Sequence, residues 1–524
     1  MPQAPEYQAL TMRLADRDLR LRNALQLHQR GALEGAAAAY RALLAEVPDD
    51  ADALNLLGVI EGQKANLDAA LALVSRALHS NPRHALAHTN RARICLKLGK
   101  PAEALESARH ALRLEPRLLE ALHNEAAALE ALGRAPEALE SCERALALHP
   151  AGSDALMRRG YLLLELREVE AALESFERAR RLRPRDGEPL RARGRTLSEL
   201  NHFEAALQCY EQALRLNPAD GDAYNGRGLV LLALGFAAAA LESYEHARQL
   251  GVKDAGAYAG RAGALTYIGR LEEAVAGWEE ALACAPDYRY GPGDLLYVKS
   301  QCCDWRDYEA QRSALEAGVQ AGRLVSTPFA FLSACDTPAV QRQCALIHSA
   351  ARFQQLRPPG PALPAARRER LTLGYLSADF RDHATARLLA GVIERHDRTA
   401  FAVTALSSGP DDGSAMLARL RRAFDRFVDV RERSDREAAE LIRGLGIDIL
   451  VDLNGFAAGG RPAILAQRPA PVQVSYLGYP GTLGAEFIDY LIADQYVIPE
   501  AVRSHYTEQI AYLPHCYQPN DCTR

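Results

Sequence analysis

Six prolines, Pro48, Pro82, Pro116, Pro150, Pro184 and Pro218, stand 34 residues apart, and after a valine at 252 the spacing resumes at Pro286. A fixed period of this length is the signature of stacked repeats, in which each unit buries its apolar face only against its neighbours. With proline at position 32 of the unit, the array begins at 17 and ends at 288, which is eight units. Position 20 is alanine in all eight, from Ala36 through Ala172 to Ala274, position 8 is always Ala or Gly, and position 27 is alanine in seven. Such small residues let two helices cross closely. Position 24 is mostly larger (Tyr40, Phe176, Tyr210, Tyr244, Trp278), a knob for the space beside the small residues. Glycines at position 15 (Gly31, Gly99, Gly133, Gly235, Gly269) can take left-handed angles and end the first helix of each pair. The expectation is eight stacked helix pairs with a concave groove of the kind that holds extended polypeptides.

Position 7 is arginine in Arg91 and then in four consecutive units, Arg159, Arg193, Arg227 and Arg261. A ladder of guanidinium groups lining a groove can hold an acidic or carbonyl-rich polypeptide. The competing reading is that each stem packs between helices while its head pairs with a neighbouring Glu. His84 and His88 have a metal-like spacing without a third ligand nearby, and read as surface histidines.

Length, charge and cysteine usage narrow the class. A chain of 524 residues holds about three or four folding units. A net charge of −5 gives no global reason to bind nucleic acid or anionic membrane. The ten cysteines lack metal-site spacing and read as reduced, cytosolic thiols. The N-terminus meets charges before it can assemble the apolar core of a signal peptide, and the longest apolar run, Leu229 to Leu241, is too short to cross a bilayer. No membrane span and a cytoplasmic location are expected.

Residues 289–355 lose the period but keep helical spacing, and read as a helical adaptor. Pro358, Pro359, Pro361 and Pro364 then mark a linker at 356–370. From Leu371, six short apolar runs alternate with helical stretches: LTLGYLS, FAVTALS, RFVDV, IDILVDLNG, VQVSYLG and DYLIAD. That order predicts βαβ crossovers and a mostly parallel, doubly wound sheet, whose chemistry collects at the carboxyl ends of strands. After the first strand comes His383, just before a helix expected from about Ala384. There it serves either as a neutral hydrogen-bond partner or base, or simply as a loop histidine bonded to a carboxylate. After the fourth strand comes Asn454. After the fifth comes a glycine-rich turn through Tyr479, Pro480, Gly481 and Thr482, whose amides could approach an anion. GxGxxG is missing after the first strand, which argues against a dinucleotide fold.

The runs GYLSADFRDH (374–383), DLNG (452–455), RPAPVQVSYLGYPGTLG (468–484) and DYLIAD (489–494), with CDW (303–305) and LPHCYQPND (513–521), resemble the protein O-linked N-acetylglucosamine transferases and their plant Spindly-like relatives. That family also carries tetratricopeptide repeats ahead of its catalytic region. The resemblance implies an all-α tetratricopeptide solenoid followed by the first, Rossmann-like lobe (371–524) of a two-lobed glycosyltransferase. It also implies transfer of N-acetylglucosamine from a uridine diphosphate donor to Ser or Thr of acceptor proteins held by the repeats, without a metal. In that family the chain continues into a second nucleotide-binding lobe, so this sequence reads as stopping before it, either as an active transferase polypeptide or as an inactive fragment as given. The resemblance places His383 beside the reacting sugar and acceptor, with Asn454 and Tyr479 to Thr482 in the other two loops of the site. Phe456 stands where many bacterial relatives have histidine, and the asparagine ladder of the animal enzymes is reduced to Asn90 and Asn124. The alternative is a repeat scaffold that keeps a vestigial catalytic lobe.

Overall fold

The computed structural model describes residues 4–356 and 369–521. The four linker prolines lie outside the described residues. The chain divides into two compact units, Met1–Pro189 and Leu190–Arg524, so the division falls inside the sixth repeat.

In the first unit the helices pair as α1 (Ala4–Gln29) with α2 (Leu33–Glu46), α3 (Ala51–Gln63) with α4 (Leu67–Ser80), α5 (Ala85–Lys97) with α6 (Pro101–Leu114), α7 (Leu119–Ala131) with α8 (Ala135–Leu148), and α9 (Ser153–Glu165) with α10 (Val169–Leu182). The second unit continues with α11 (Glu188–Glu199) and α12 (Phe203–Leu216), α13 (Gly221–Ala233) and α14 (Ala237–Gln249), and α15 (Ala255–Ile268) and α16 (Leu271–Cys284).

The packing follows the sequence frame. All eight position-20 alanines are fully buried. A methyl added at Gly160 would meet the Phe176 ring at 2.4 Å, and one at Gly228 would meet Tyr244 at 2.9 Å, so the knob at position 24 fills the place left by position 8. In the second unit the knob reaches further. A methyl at Gly226 or Gly260 would lie 2.4 Å from Tyr210 or Tyr244 of the preceding repeat. Position 15 is left-handed in all eight repeats, including the non-glycine residues Ala65, Arg167 and Asn201. Repeat geometry thus overrides the roughly 1 kcal/mol penalty of that conformation for an L side chain. Ala172→Leu is expected to overpack its helix crossing and destabilise the array by about 1–3 kcal/mol. An unchanged denaturation midpoint would contradict that packing.

The two histidines depart from their surface reading. His84 caps α5, accepting from the Ala87 amide, and its ring lies 3.2 Å from Asp52. His88 is buried and stacks on His110 at 5.1 Å between ring centroids. No cluster of three potential metal ligands occurs among the described residues.

The repeat pattern runs on for half a unit. α17 (Gly291–Gln301) packs on α16, and Cys303, at position 15 of that half unit, again has positive φ. Then follow α18 (Tyr308–Gln320), α19 (Pro328–Leu332) and α20 (Pro338–Phe353).

The α/β region runs β1 (Leu371–Ser377), α21 (Ala384–Glu394), β2 (Phe401–Ser407), α22 (Ala415–Ala423), β3 (Arg426–Asp429), α23 (Asp435–Gly444), β4 (Ile449–Asp452), α24 (Pro462–Leu465), β5 (Val472–Ser475), β6 (Tyr490–Ala493) and β7 (Gln509–Tyr512). The six expected strands are present, and β7 adds a seventh. The order is β3-β2-β1-β4-β5-β6-β7, with every neighbouring pair parallel. Alternate residues of β1 serve opposite faces: Leu373 and Tyr375 pack with Leu389, Ile393 and Leu420 of α21 and α22, while Leu376 packs with Ala438 and Ile442 of α23. Both faces are covered, as a parallel sheet requires. No helix among the described residues is long and apolar enough to cross a membrane.

Candidate active site

The strand order reverses between β1 and β4, and in open parallel sheets the crevice at such a switch point is where ligands bind. The loops after β1 and β4 meet there through one side chain. Asn454, 2% exposed, accepts from the Ser377 hydroxyl (3.0 Å) and the Ala378 amide (2.9 Å). Two donors on its carbonyl oxygen leave its NH₂ to donate to Asp379 Oδ2 at 2.7 Å. The Asn454 and Gly455 amides in turn donate to the fully buried Asp452, which holds the turn in shape. Burial raises the Asp452 carboxyl to about 6, against the opposing pull of those two amides.

Asp379 is the link to His383. Its Oδ2 lies 3.6 Å from His383 Nδ1, and that nitrogen also accepts from the Thr385 amide at 3.3 Å as the cap of α21. Nδ1 is therefore committed to the protein, and Nε2 is the ring nitrogen outside these contacts. The His383 side chain is 39% exposed, so a substrate can reach it. Beside it opens a cavity of about 730 Å³ whose polar lining is Asp382, Arg387, Ser414, Arg419, Gln518 and Asp521. Both arginines are neutralised in place: Arg387 by Asp382, and Arg419 by Glu394 and Asp521.

The third loop, after β5, interlocks with the second. A methyl at Gly478 would lie 2.0 Å from the Leu453 carbonyl oxygen, so only glycine permits this approach. Tyr479, 3% exposed, packs against Phe456 with ring centroids 5.4 Å apart, and burial holds its hydroxyl well above the ordinary range. Pro480 is exposed and Gly481 is buried. Thr482 is buried and committed to structure: its hydroxyl donates to Glu508 at 2.6 Å and accepts from the Gly484 and Thr507 amides. Glu508 also takes the Leu483 amide at 2.7 Å. Two of the loop's amides are thus satisfied within the protein.

His383, Asn454 and Tyr479 to Thr482 therefore lie on three adjoining loops at one end of the sheet. Asp379 and Glu508, which tie those loops, were not singled out from sequence. Asp379 stands four residues before His383, a spacing that could have drawn attention to it, whereas Glu508 is 25 residues beyond Leu483 and carries no local signal. The arginines are engaged within their own repeat or with a glutamate of the preceding one. Arg159 donates to Ser175 (2.7 Å) and lies 3.5 Å from Glu143, Arg227 donates to Ser243 (3.1 Å), and Arg261 donates to Glu245 (2.6 Å). Arg193 is engaged as well.

Comparison with known proteins bears on both halves. Residues 348–523 match the model of glycosyl transferase family 41. Residues 21–64, 56–117 and 123–187 match a tetratricopeptide repeat model, and 194–235 a second one. A probable UDP-N-acetylglucosamine–peptide N-acetylglucosaminyltransferase of Arabidopsis thaliana is 39% identical over 153 residues, 29% of this chain and 16% of that protein. The UDP-N-acetylglucosamine–peptide N-acetylglucosaminyltransferase of Caenorhabditis elegans is 39% identical over 150 residues, 28% of this chain and 13% of that protein. The matched stretch thus spans under a fifth of either relative. Among solved structures, a Thermobaculum terrenum O-GlcNAc transferase mutant aligns with TM-score 0.45 and 28% identity over 64% of this chain and 58% of that one.

Proposed function

We propose that this chain, in which a glycosyl transferase family 41 segment follows a tetratricopeptide array, is a protein O-glycosyltransferase polypeptide. The observation that supports this best is His383, held by Asp379 and Thr385 at the strand-order switch point, inside the segment that matches the family model. In this reading residues 17–288 capture the acceptor, 289–355 are the adaptor, and 371–524 form the lobe that carries the transfer site. The donor is UDP-N-acetylglucosamine and the acceptors are Ser or Thr hydroxyls of cytoplasmic proteins. The acceptor oxygen attacks the anomeric carbon, the bond from that carbon to the diphosphate oxygen breaks, and the nucleotide leaves with the electron pair. With Nδ1 accepting from the Thr385 amide, the neutral His383 ring carries its proton on Nε2, which donates a hydrogen bond to an oxygen at the reacting centre, and the acceptor hydroxyl's proton leaves with the diphosphate. No metal takes part.

The test is incubation of the full chain with UDP-N-acetylglucosamine labelled in the sugar and with Ser/Thr-containing peptides, followed by mass mapping of the label. Sugar on a hydroxyl is the expected result. Peptide capture without label would overturn the reading in favour of a scaffold. The arginine ladder is tested separately. Replacing Arg159, Arg193, Arg227 and Arg261 together with Gln is expected to weaken peptide capture by about tenfold or more and to flatten its salt dependence. Unchanged affinity and salt slope, with lowered stability, would assign the four guanidinium groups to packing alone.

A further inference from the structure

Helix α20 touches two of the three loops of the candidate site. Ser349, 5% exposed, donates from its hydroxyl to the Leu483 carbonyl at 2.6 Å, across 134 residues of sequence. The amide of the same residue is held by Glu508, so both polar groups of Leu483 are fixed from opposite sides. The next residue, Gly484, has φ of +59°, and a methyl there would lie 2.6 Å from backbone atoms of Ala345 and Leu346. The loop therefore rests on the bare backbone of the helix.

The residue before Ser349 reaches the other loop. His348, 3% exposed, stands edge-on to Phe456 with centroids 4.8 Å apart, and Phe456 stands edge-on to Tyr479 at 5.4 Å. The Tyr290 ring lies tilted against the imidazole at 5.3 Å between centroids. His348 Nδ1 and the Tyr290 hydroxyl are both buried without a hydrogen-bond partner among the described residues. Burial, reinforced by Arg352, lowers His348 to about 4, so the ring is neutral at pH 7. These contacts go to the loops that carry Asn454 and Tyr479 to Thr482, and not to the strands.

We infer that α20 is the platform on which the two loops are set, with Ser349 positioning the 479–484 loop through Leu483 and His348 positioning the Asn454–Phe456 turn through Phe456. Both are positioning residues, and their relevance to transfer rests on the glycosyltransferase reading above. Loss of one neutral hydrogen bond loosens a segment by about five- to tenfold in its opening equilibrium.

The test uses the full 524-residue chain carrying Ser349→Ala, Ser349→Thr, His348→Ala or His348→Phe. Hydrogen exchange and transfer kinetics are read together. Ser349→Ala is expected to speed exchange over 476–486 by about five- to tenfold and leave the repeats and β1 to β4 unchanged. It should lower kcat with little change in acceptor KM, and Ser349→Thr should restore both. His348→Ala should loosen 453–458, and His348→Phe, which keeps a ring against Phe456, should not. Unchanged exchange in the loops overturns the inference. So does loop loosening without a change in kcat, or loosening spread over the whole lobe. A wild-type chain that transfers no sugar defeats the glycosyltransferase reading instead, and exchange in the variants then still decides whether α20 sets the loops.

Discussion

Alanine at position 383 is expected to slow sugar transfer by about 10²–10⁴-fold while the chain stays folded. The argument for so large an effect is the way the imidazole is held. Nδ1 is fixed by the Thr385 amide and faces Asp379, so the ring has little freedom and Nε2 is presented in one direction. His383 also caps α21, and losing a cap costs about 0.5–2 kcal/mol, which must be separated from the chemical loss. His383→Asn does this, because asparagine caps helices well but offers no imidazole. The Asn variant should recover the stability that the Ala variant loses and remain as slow. Turnover restored by asparagine would remove the imidazole from the reaction.

The pH dependence of stability should tilt in opposite directions when His348 and Asp452 are changed one at a time. His348 titrates near 6.5 unfolded and about 4 folded, so between those values the unfolded chain binds the extra proton and stability falls as the pH is lowered. Asp452 titrates near 3.8 unfolded and about 6 folded, because burial favours its neutral form. In that window the folded chain binds the extra proton, and stability falls as the pH is raised. Each shift exceeds two pH units and corresponds to about 3 kcal/mol across its window. The two windows overlap and the two slopes oppose each other. His348→Phe should therefore make the protein relatively more stable at pH 4.5 than at pH 7, and Asp452→Asn relatively more stable at pH 7 than at pH 4.5. Urea denaturation at the two pH values measures both differences. Parallel changes in the two variants would show that one of the signs is wrong.

What the sequence made legible divides by range. Alanine at position 20 and the alternation of small and aromatic residues specify helix crossings from contacts made within a repeat or to its neighbour, and these are periodic. The left-handed turns at Ala65 and Arg167 carry no sign in the residue itself, because they are closed by backbone bonds of the helix end, such as the Glu168 amide to the Leu163 carbonyl at 2.8 Å. His88 reads as a surface residue in the sequence because its burial against His110 depends on the second helix of its repeat. In the α/β region the strand-end rule located His383 and Asn454 at the switch point. The ties that hold them, Asn454 to Asp379 and Leu483 to Glu508 and Ser349, join segments 25 to 134 residues apart and leave no pattern in any local window. β7 is invisible in the sequence for a related reason. Four residues after a short 3₁₀ turn are too few to show alternation, and only pairing with β6 defines them.

The bond from Ser349 to Leu483 also sets a timetable for synthesis. Repeats close against neighbours already made, so the array folds behind the advancing chain. α20 must instead wait for residues translated 134 positions later, which at about 5–20 residues per second is a delay of roughly 7–27 s. During that interval the helix face around Ala345, His348 and Ser349 has no loop to cover it, while a finished array is already tethered in front of it. The seam between α20 and the glycine loop is thus closed late in assembly, after the repeats that precede it have packed.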